Sequence, residues 1–262
     1  MNVQTPVILA ISTLLFACSS PRTIVTQPFA SGPASPASFQ TADTVPVRWA
    51  RGLRLASLSA VGAEMATPLE SEIEVTDRFR HKAVARDCNS ALDLLAKGYE
   101  APRDVEQRVL RYQSIRCLAL RAIATAAPAR RSGIEQFHLS EGSVNVLPPT
   151  LGLAVSDEAA DRAREAESQG KSWRDVSPGA RVRLEPPMDD RLDPSLVVEG
   201  DGWRVRVTEY GRADFDRDGN EDLMVRVDGE RTPGTYRSHR LFVLTWDPGR
   251  RAFRMLREIL PD

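Results

Sequence analysis

The spacing of apolar residues changes character several times along the chain. Residues 7–17 (VILAISTLLFA) form a short, mainly apolar run. It falls short of the roughly 20 residues that a membrane-spanning helix needs, but it suits the apolar core of a secretory signal. Residues 19–47 are rich in Ser, Ala, Thr and Pro and follow neither a helical nor a strand period. A segment of that composition buries too little apolar surface to offset the entropy of ordering it. Helical spacing then appears in residues 87–98 (DCNSALDLLAKG), where Ala91, Leu92, Leu94 and Leu95 cluster and Lys97-Gly98 marks a stop. Residues 102–127 open with Pro102 and set Val105, Val109, Tyr112, Cys117, Leu120 and Ala124 on one broad stripe. The short connection between these helices predicts an antiparallel helical hairpin. A third helix, with Ser156 as N-cap, Asp157 and Glu158 in its first turn and Gly170 as its stop, is charged enough to be a solvated surface helix.

From Arg181 onward the period is two. The segments 181–186 (RVRLEP), 202–210 (GWRVRVTEY), 222–229 (DLMVRVDG) and 239–259 read as strands, the last folded at Asp247-Pro248-Gly249. Trp203, Val205 and Val207 share one face and Arg204, Arg206 and Thr208 the other, which predicts an antiparallel sheet with one buried face. Residues 51–80 have mixed periodicity, and IEVTDRF (73–79) fits either a short strand or a helix entry. In residues 133–152 the pattern is irregular, and Pro148-Pro149 stops any helix. The expected fold class is α+β: a mainly helical region over 51–176, then an antiparallel β region over 177–262, the helical hairpin covering the sheet. Residues 1–17 are expected to be a signal peptide and 18–50 a disordered linker beginning at Cys18.

The charge balance adds little, which is itself informative. The 29.0 kDa chain of 262 residues has a formal net charge of -1, with no basic run to attract nucleic acid. Gly170-Lys171-Ser172 would need a glycine at 165 to close a P-loop, but Glu165 stands there and a helix precedes it, so no nucleotide site is expected.

The run at 15–18 (LFAC) resembles the lipobox of bacterial lipoproteins, with Leu15 leading, Ala17 before the cleavage point and Cys18 taking the lipid. Phe16 and a leader without Lys or Arg depart from that pattern. The resemblance implies anchoring by acyl chains at Cys18. Ser19 after the cysteine implies the outer membrane, with the chain facing the periplasm or the cell surface. Only Cys88 and Cys117 then remain, an even pair in an oxidising compartment. In the helical hairpin Cys88 falls about one turn from Cys117, so a disulfide is expected, against the alternative of two buried thiols.

The most specific signal is DFDRDGNED, residues 214–222. Counting Asp214 as position 1, acids stand at 1, 3, 5 and 9 (Asp214, Asp216, Asp218, Asp222), with Gly219 at the hinge and Asn220 able to offer its carbonyl. Calcium takes roughly six to eight hard oxygen ligands, and alternate residues of a looping backbone can aim carboxylates at one point. An EF-hand is excluded, because Val225 occupies the position of the bidentate Glu. The pattern D-x-D-x-D-G-x-x-D before an apolar strand resembles the calcium loops of FG-GAP and VCBS repeats. That resemblance implies Asp214, Asp216, Asp218, Asn220 and Asp222 as ligands of a structural Ca2+. It covers about 15 residues and has no second copy, and a propeller needs at least about four blades, so the fold of those repeats does not follow.

Catalytic constellations are missing from the sequence. His81, His138 and His239 lie in unrelated segments, and there is no zinc spacing and no nucleophile elbow. The expected role is therefore non-enzymatic: a lipid-anchored envelope protein that supports or binds an envelope protein or glycan. An envelope hydrolase acting on glycan or peptide, with structural calcium, is the alternative.

Overall fold

The computed structural model describes residues 44–152, 156–187 and 193–261, all within one compact unit. The signal segment, Cys18 and most of the linker lie outside the described residues. The linker expected up to residue 50 nevertheless ends early. Val45 pairs with Ala129, Val47 is buried, and β1 (Arg48–Trp49) is already a strand.

The region 51–176 is not purely helical. α1 (Val61–Met65) is followed by an antiparallel strand pair, β2 (Pro68–Thr76) and β3 (Lys82–Asp87). IEVTDRF is thus a strand running into a turn, in which the Asp77 carboxylate accepts the N–H groups of Phe79 and His81. A capping box between Asp87 and Ser90 starts α2 (Cys88–Ala96) directly from β3. α3 (Asp104–Thr125) follows, and Cys88 and Cys117 form a disulfide with Cα atoms 5.0 Å apart, both fully buried.

The stripe expected on α3 needs correction. Val105, Val109, Tyr112 and Ala124 are exposed, whereas Leu110, Ile115, Cys117, Leu118, Ala119, Leu120, Ala122 and Ile123 are buried. The helix has neighbours on different sides along its length. Leu110 packs with Ile73, Val75 and Ala85 of the strand pair, and the C-terminal half lies in the core against the large sheet. A single stripe describes a helix lying on one surface, and α3 is wedged between two.

α4 (Asp157–Ser168) and α5 (Trp173–Val176) precede the sheet, and the Ser156 hydroxyl accepts the Ala159 N–H at the start of α4. The sheet contains β4 (Arg181–Glu185), β5 (Ser195–Gly200), β6 (Trp203–Ala213), β7 (Asp222–Arg231), β8 (Arg237–Asp247) and β9 (Ala252–Glu258), in sequence order and antiparallel throughout. β1 extends it by pairing with β6 at Arg212 and Gly211, beyond the end of β5.

Two faces of this sheet are buried, not one. Met224, Leu241 and Val243 meet α3. Val205, Val207, Leu223, Val225, Val227, Phe242 and Leu244 meet the irregular segment that contributes Ile134, Leu139, Val144, Leu147 and Leu151, together with Trp173. The contiguous apolar runs Leu223-Met224-Val225 and Leu241-Phe242-Val243-Leu244 are the sequence counterpart of two-sided burial. Arg212 fastens the irregular segment to β6. Its buried guanidinium binds the Glu209 carboxylate at 2.7 and 2.8 Å and donates to the carbonyls of Ile134 and Phe137.

Candidate metal centre

The connection between β6 and β7 is the aspartate loop. Its backbone is shaped by its own carboxylates. Asp214 accepts the N–H groups of Arg217 (2.6 Å) and Gly219 (2.9 Å), Asp216 accepts that of Asp218, and Asp218 accepts that of Asn220. Arg217 and Gly219 take left-handed conformations, with φ of 68° and 87°. Such residues reverse the chain within a few positions, and glycine does so at least cost. A Cβ at Gly219 would also touch the Arg130 side chain at 3.4 Å. Gly219→Ala is therefore expected to lower stability by about 1 kcal/mol or more, read as a lower urea midpoint at unchanged slope.

Asp214, Asp216 and Asp218 can each bring an oxygen within 4.8 Å of the others, an arrangement able to hold a cation. Asp214 is buried, and the other two are exposed. Burial works against ionising Asp218, but the Asn220 amides and the Arg131 charge hold its carboxyl below the usual range. Asn220 turns its side chain to Asp218 and Arg131.

Asp222 stands apart from this trio, at the first position of β7 and fully buried. Its Oδ2 accepts the Phe215 N–H at 3.1 Å, while Oδ1 has no hydrogen-bond partner among the described residues. Burial pushes its pKa up to about 7, and the negative charges of Asp216 and Asp218 add to the shift. The Thr245 hydroxyl and the Phe215 N–H act in the opposite direction. A buried carboxylate with a free oxygen beside further carboxylates is short of positive charge.

The residues that steady the loop come from elsewhere in the chain. After α3, residues 127–131 form a strap across it. Ala127 exchanges backbone hydrogen bonds with Asp214, Arg130 and Arg131 donate to the Gly219 carbonyl, and Glu221 donates to that of Arg131. The Glu221 side chain, itself buried, accepts from Arg48 and Ser132. Sequence reading passed over Glu221, the strap and Arg48, because their partners lie about 90 to 170 positions away. The one available signal was an acid set directly before an apolar strand.

The histidines are dispersed. His81 pairs with Asp77 in the β2–β3 turn, and His239 pairs with Asp228 on the α3 side of the sheet. At the second site burial favours the neutral acid, but the bonds from His239 and Arg226 hold the Asp228 carboxyl below its ordinary value. Arg226 also donates to the Tyr210 hydroxyl and lies 4.5 Å from the centre of the Tyr112 ring. Every polar partner in this cluster is another side chain of the fold, which marks it as packing between α3 and the sheet.

The donor set of the loop is all oxygen, without thiolate or imidazole, and so suits a hard divalent cation. Comparisons of the chain with known protein families, with curated proteins and with solved structures find no match.

Proposed function

We propose that this is a lipid-anchored protein of the bacterial cell envelope with a non-enzymatic, structural or partner-binding role, held together in part by one calcium ion. In this reading Asp214, Asp216, Asp218 and Asp222 and the Asn220 carbonyl bind the ion, which fixes the β6–β7 connection. The α2–α3 helical hairpin covers the sheet. The observation that carries the reading is the convergence of three carboxylates beside a fourth that is buried with a free oxygen. The disulfide supports an address in an oxidising compartment. The lipobox resemblance at residues 15–18 supports the anchor, although it lies outside the described residues.

A ligand that binds only the folded state raises stability by mass action. The full chain is expected to gain several degrees of unfolding midpoint on adding calcium in place of chelator, and Asp216→Ala to lose most of that gain while its midpoint in chelator changes little. A calcium response of the same size in Asp216→Ala would remove the site. Palmitate labelling of wild type against Cys18→Ser tests the anchor separately, since equal labelling would leave Cys18 without a lipid.

A further inference from the structure

A cavity of about 490 Å³ opens between α4, α5, the turn at 149–152 and the start of β6. It lies on the opposite side of the sheet from α3 and shares no residue with the aspartate loop. Its volume falls within the range of small-molecule sites, roughly 300–1,000 Å³.

Two tryptophans define its apolar part. Trp203 is paired across the strands with Gly200, and a Cβ at Gly200 would come within 2.2–2.4 Å of the indole ring. The ring therefore lies flat on the bare backbone of β5, which only glycine permits, and it remains partly exposed to the cavity. Trp173 is 1% exposed and lines the same cavity, yet its indole N–H makes no hydrogen bond among the described residues. The indole nitrogen is not sealed from solvent, so its N–H is open to a group that enters the cavity.

The polar rim narrows the chemistry. Arg162 and Lys171 make no salt bridge among the described residues, although the Lys171 charge acts on the Asp175 carboxylate, while Glu165 and Gln169 are bonded to each other and offer both acceptor and donor capacity. A ligand with hydroxyl groups satisfies such a mixed set, because each hydroxyl both donates and accepts. A phosphate cannot donate to Glu165, and no glycine-rich loop supplies the backbone N–H groups that cradle one. The apolar face of a sugar ring fits the flat indole, and the two cations on the rim suit a carboxylate.

We infer that this cavity binds an acidic oligosaccharide, one ring stacked on Trp203 and its carboxylate held by Arg162 and Lys171. The inference names a partner class for the binding role proposed above and rests on that role. Its test is independent of both the lipid and the ion.

The full chain is titrated in chelator, so that calcium cannot bridge it to the sugar. Tetragalacturonate and tetramannuronate are the acidic probes, maltotetraose is the neutral one and ATP the phosphate control. Tryptophan fluorescence and heat are the readouts. At least one acidic tetramer is expected to bind about tenfold more tightly than maltotetraose, a difference that one charge-assisted bond can supply. Arg162→Gln, at an exposed helix position, is expected to erase that preference. Ala163→Trp, which fills the cavity from α4, is expected to abolish saccharide binding at an unchanged unfolding midpoint. No binding of either acidic tetramer, binding that survives Ala163→Trp, or tighter binding of ATP would each overturn the assignment. Loss of calcium stabilisation or of palmitate labelling would leave it untouched.

Discussion

In chelator above pH 7, Asp222→Asn is expected to raise the unfolding midpoint of the protein; with calcium present the same substitution is expected to lower it. The first half follows from burial. Asp222 has a pKa of about 7 in the fold, against an ordinary value of about 3.9 in the unfolded chain. The folded state therefore binds this proton more tightly than the unfolded state does. Whatever stability the neutral acid provides is complete below about pH 4 and is lost as the pH rises through about 7. At pH 8 the wild type has lost up to about 4 kcal/mol on this account. Asn removes the charge and keeps an oxygen to accept the Phe215 N–H. The second half rests on the proposed ion, because a calcium ligand set that loses a carboxylate binds more weakly. Melting curves of both proteins at pH 5 and pH 8, with calcium and with chelator, give four comparisons. A destabilised variant under all four conditions would refute the charge argument.

Replacing Cys88 and Cys117 together with Ser is expected to cost about 3–4 kcal/mol, the loop entropy released in the unfolded chain by a separation of 29 residues. Both positions are fully buried, so the serine hydroxyls also enter an apolar core. The loss should be felt at both ends of the bridge. α2 is tied to the strand pair by the Asp87 cap, and α3 reaches from that pair to the large sheet. The measurement is the denaturant midpoint of the double variant against wild type, repeated with reductant. Reductant should move only the wild type, and toward the variant.

What the sequence disclosed depends on how local the cause was. α4 was legible because its start and stop are written within its own residues, Ser156 and Gly170. β6 and the β8–β9 turn were legible for the same reason. The turn is closed by Asp247 accepting the N–H groups of Gly249 and Arg250. α3 misled because its burial is decided by two partners, the strand pair and the large sheet, that approach it from different sides. β5 was missed because Leu196-Val197-Val198 does not alternate, being buried on both faces between β4 and β6. In the loop, the spacing of Asp214, Asp216 and Asp218 was enough to anticipate their convergence. The separate environment of Asp222 was not, because it arises from Thr245 and the surrounding core and not from the loop itself.

The strap at 127–131 has a mechanical consequence. Ala127, Arg130 and Arg131 bind the aspartate loop, while Ala129 among them exchanges two hydrogen bonds with Val45, at 2.8 and 3.0 Å. Tension applied to the chain ahead of Thr44 is thus met at Val45 and passed through Ala129 to the loop. The next residues to resist are Arg48 and Trp49, paired with β6. If the chain is tethered at Cys18, the loop lies on the load path between membrane and fold. An ion that stiffens it would raise the force at which the first strand pulls away.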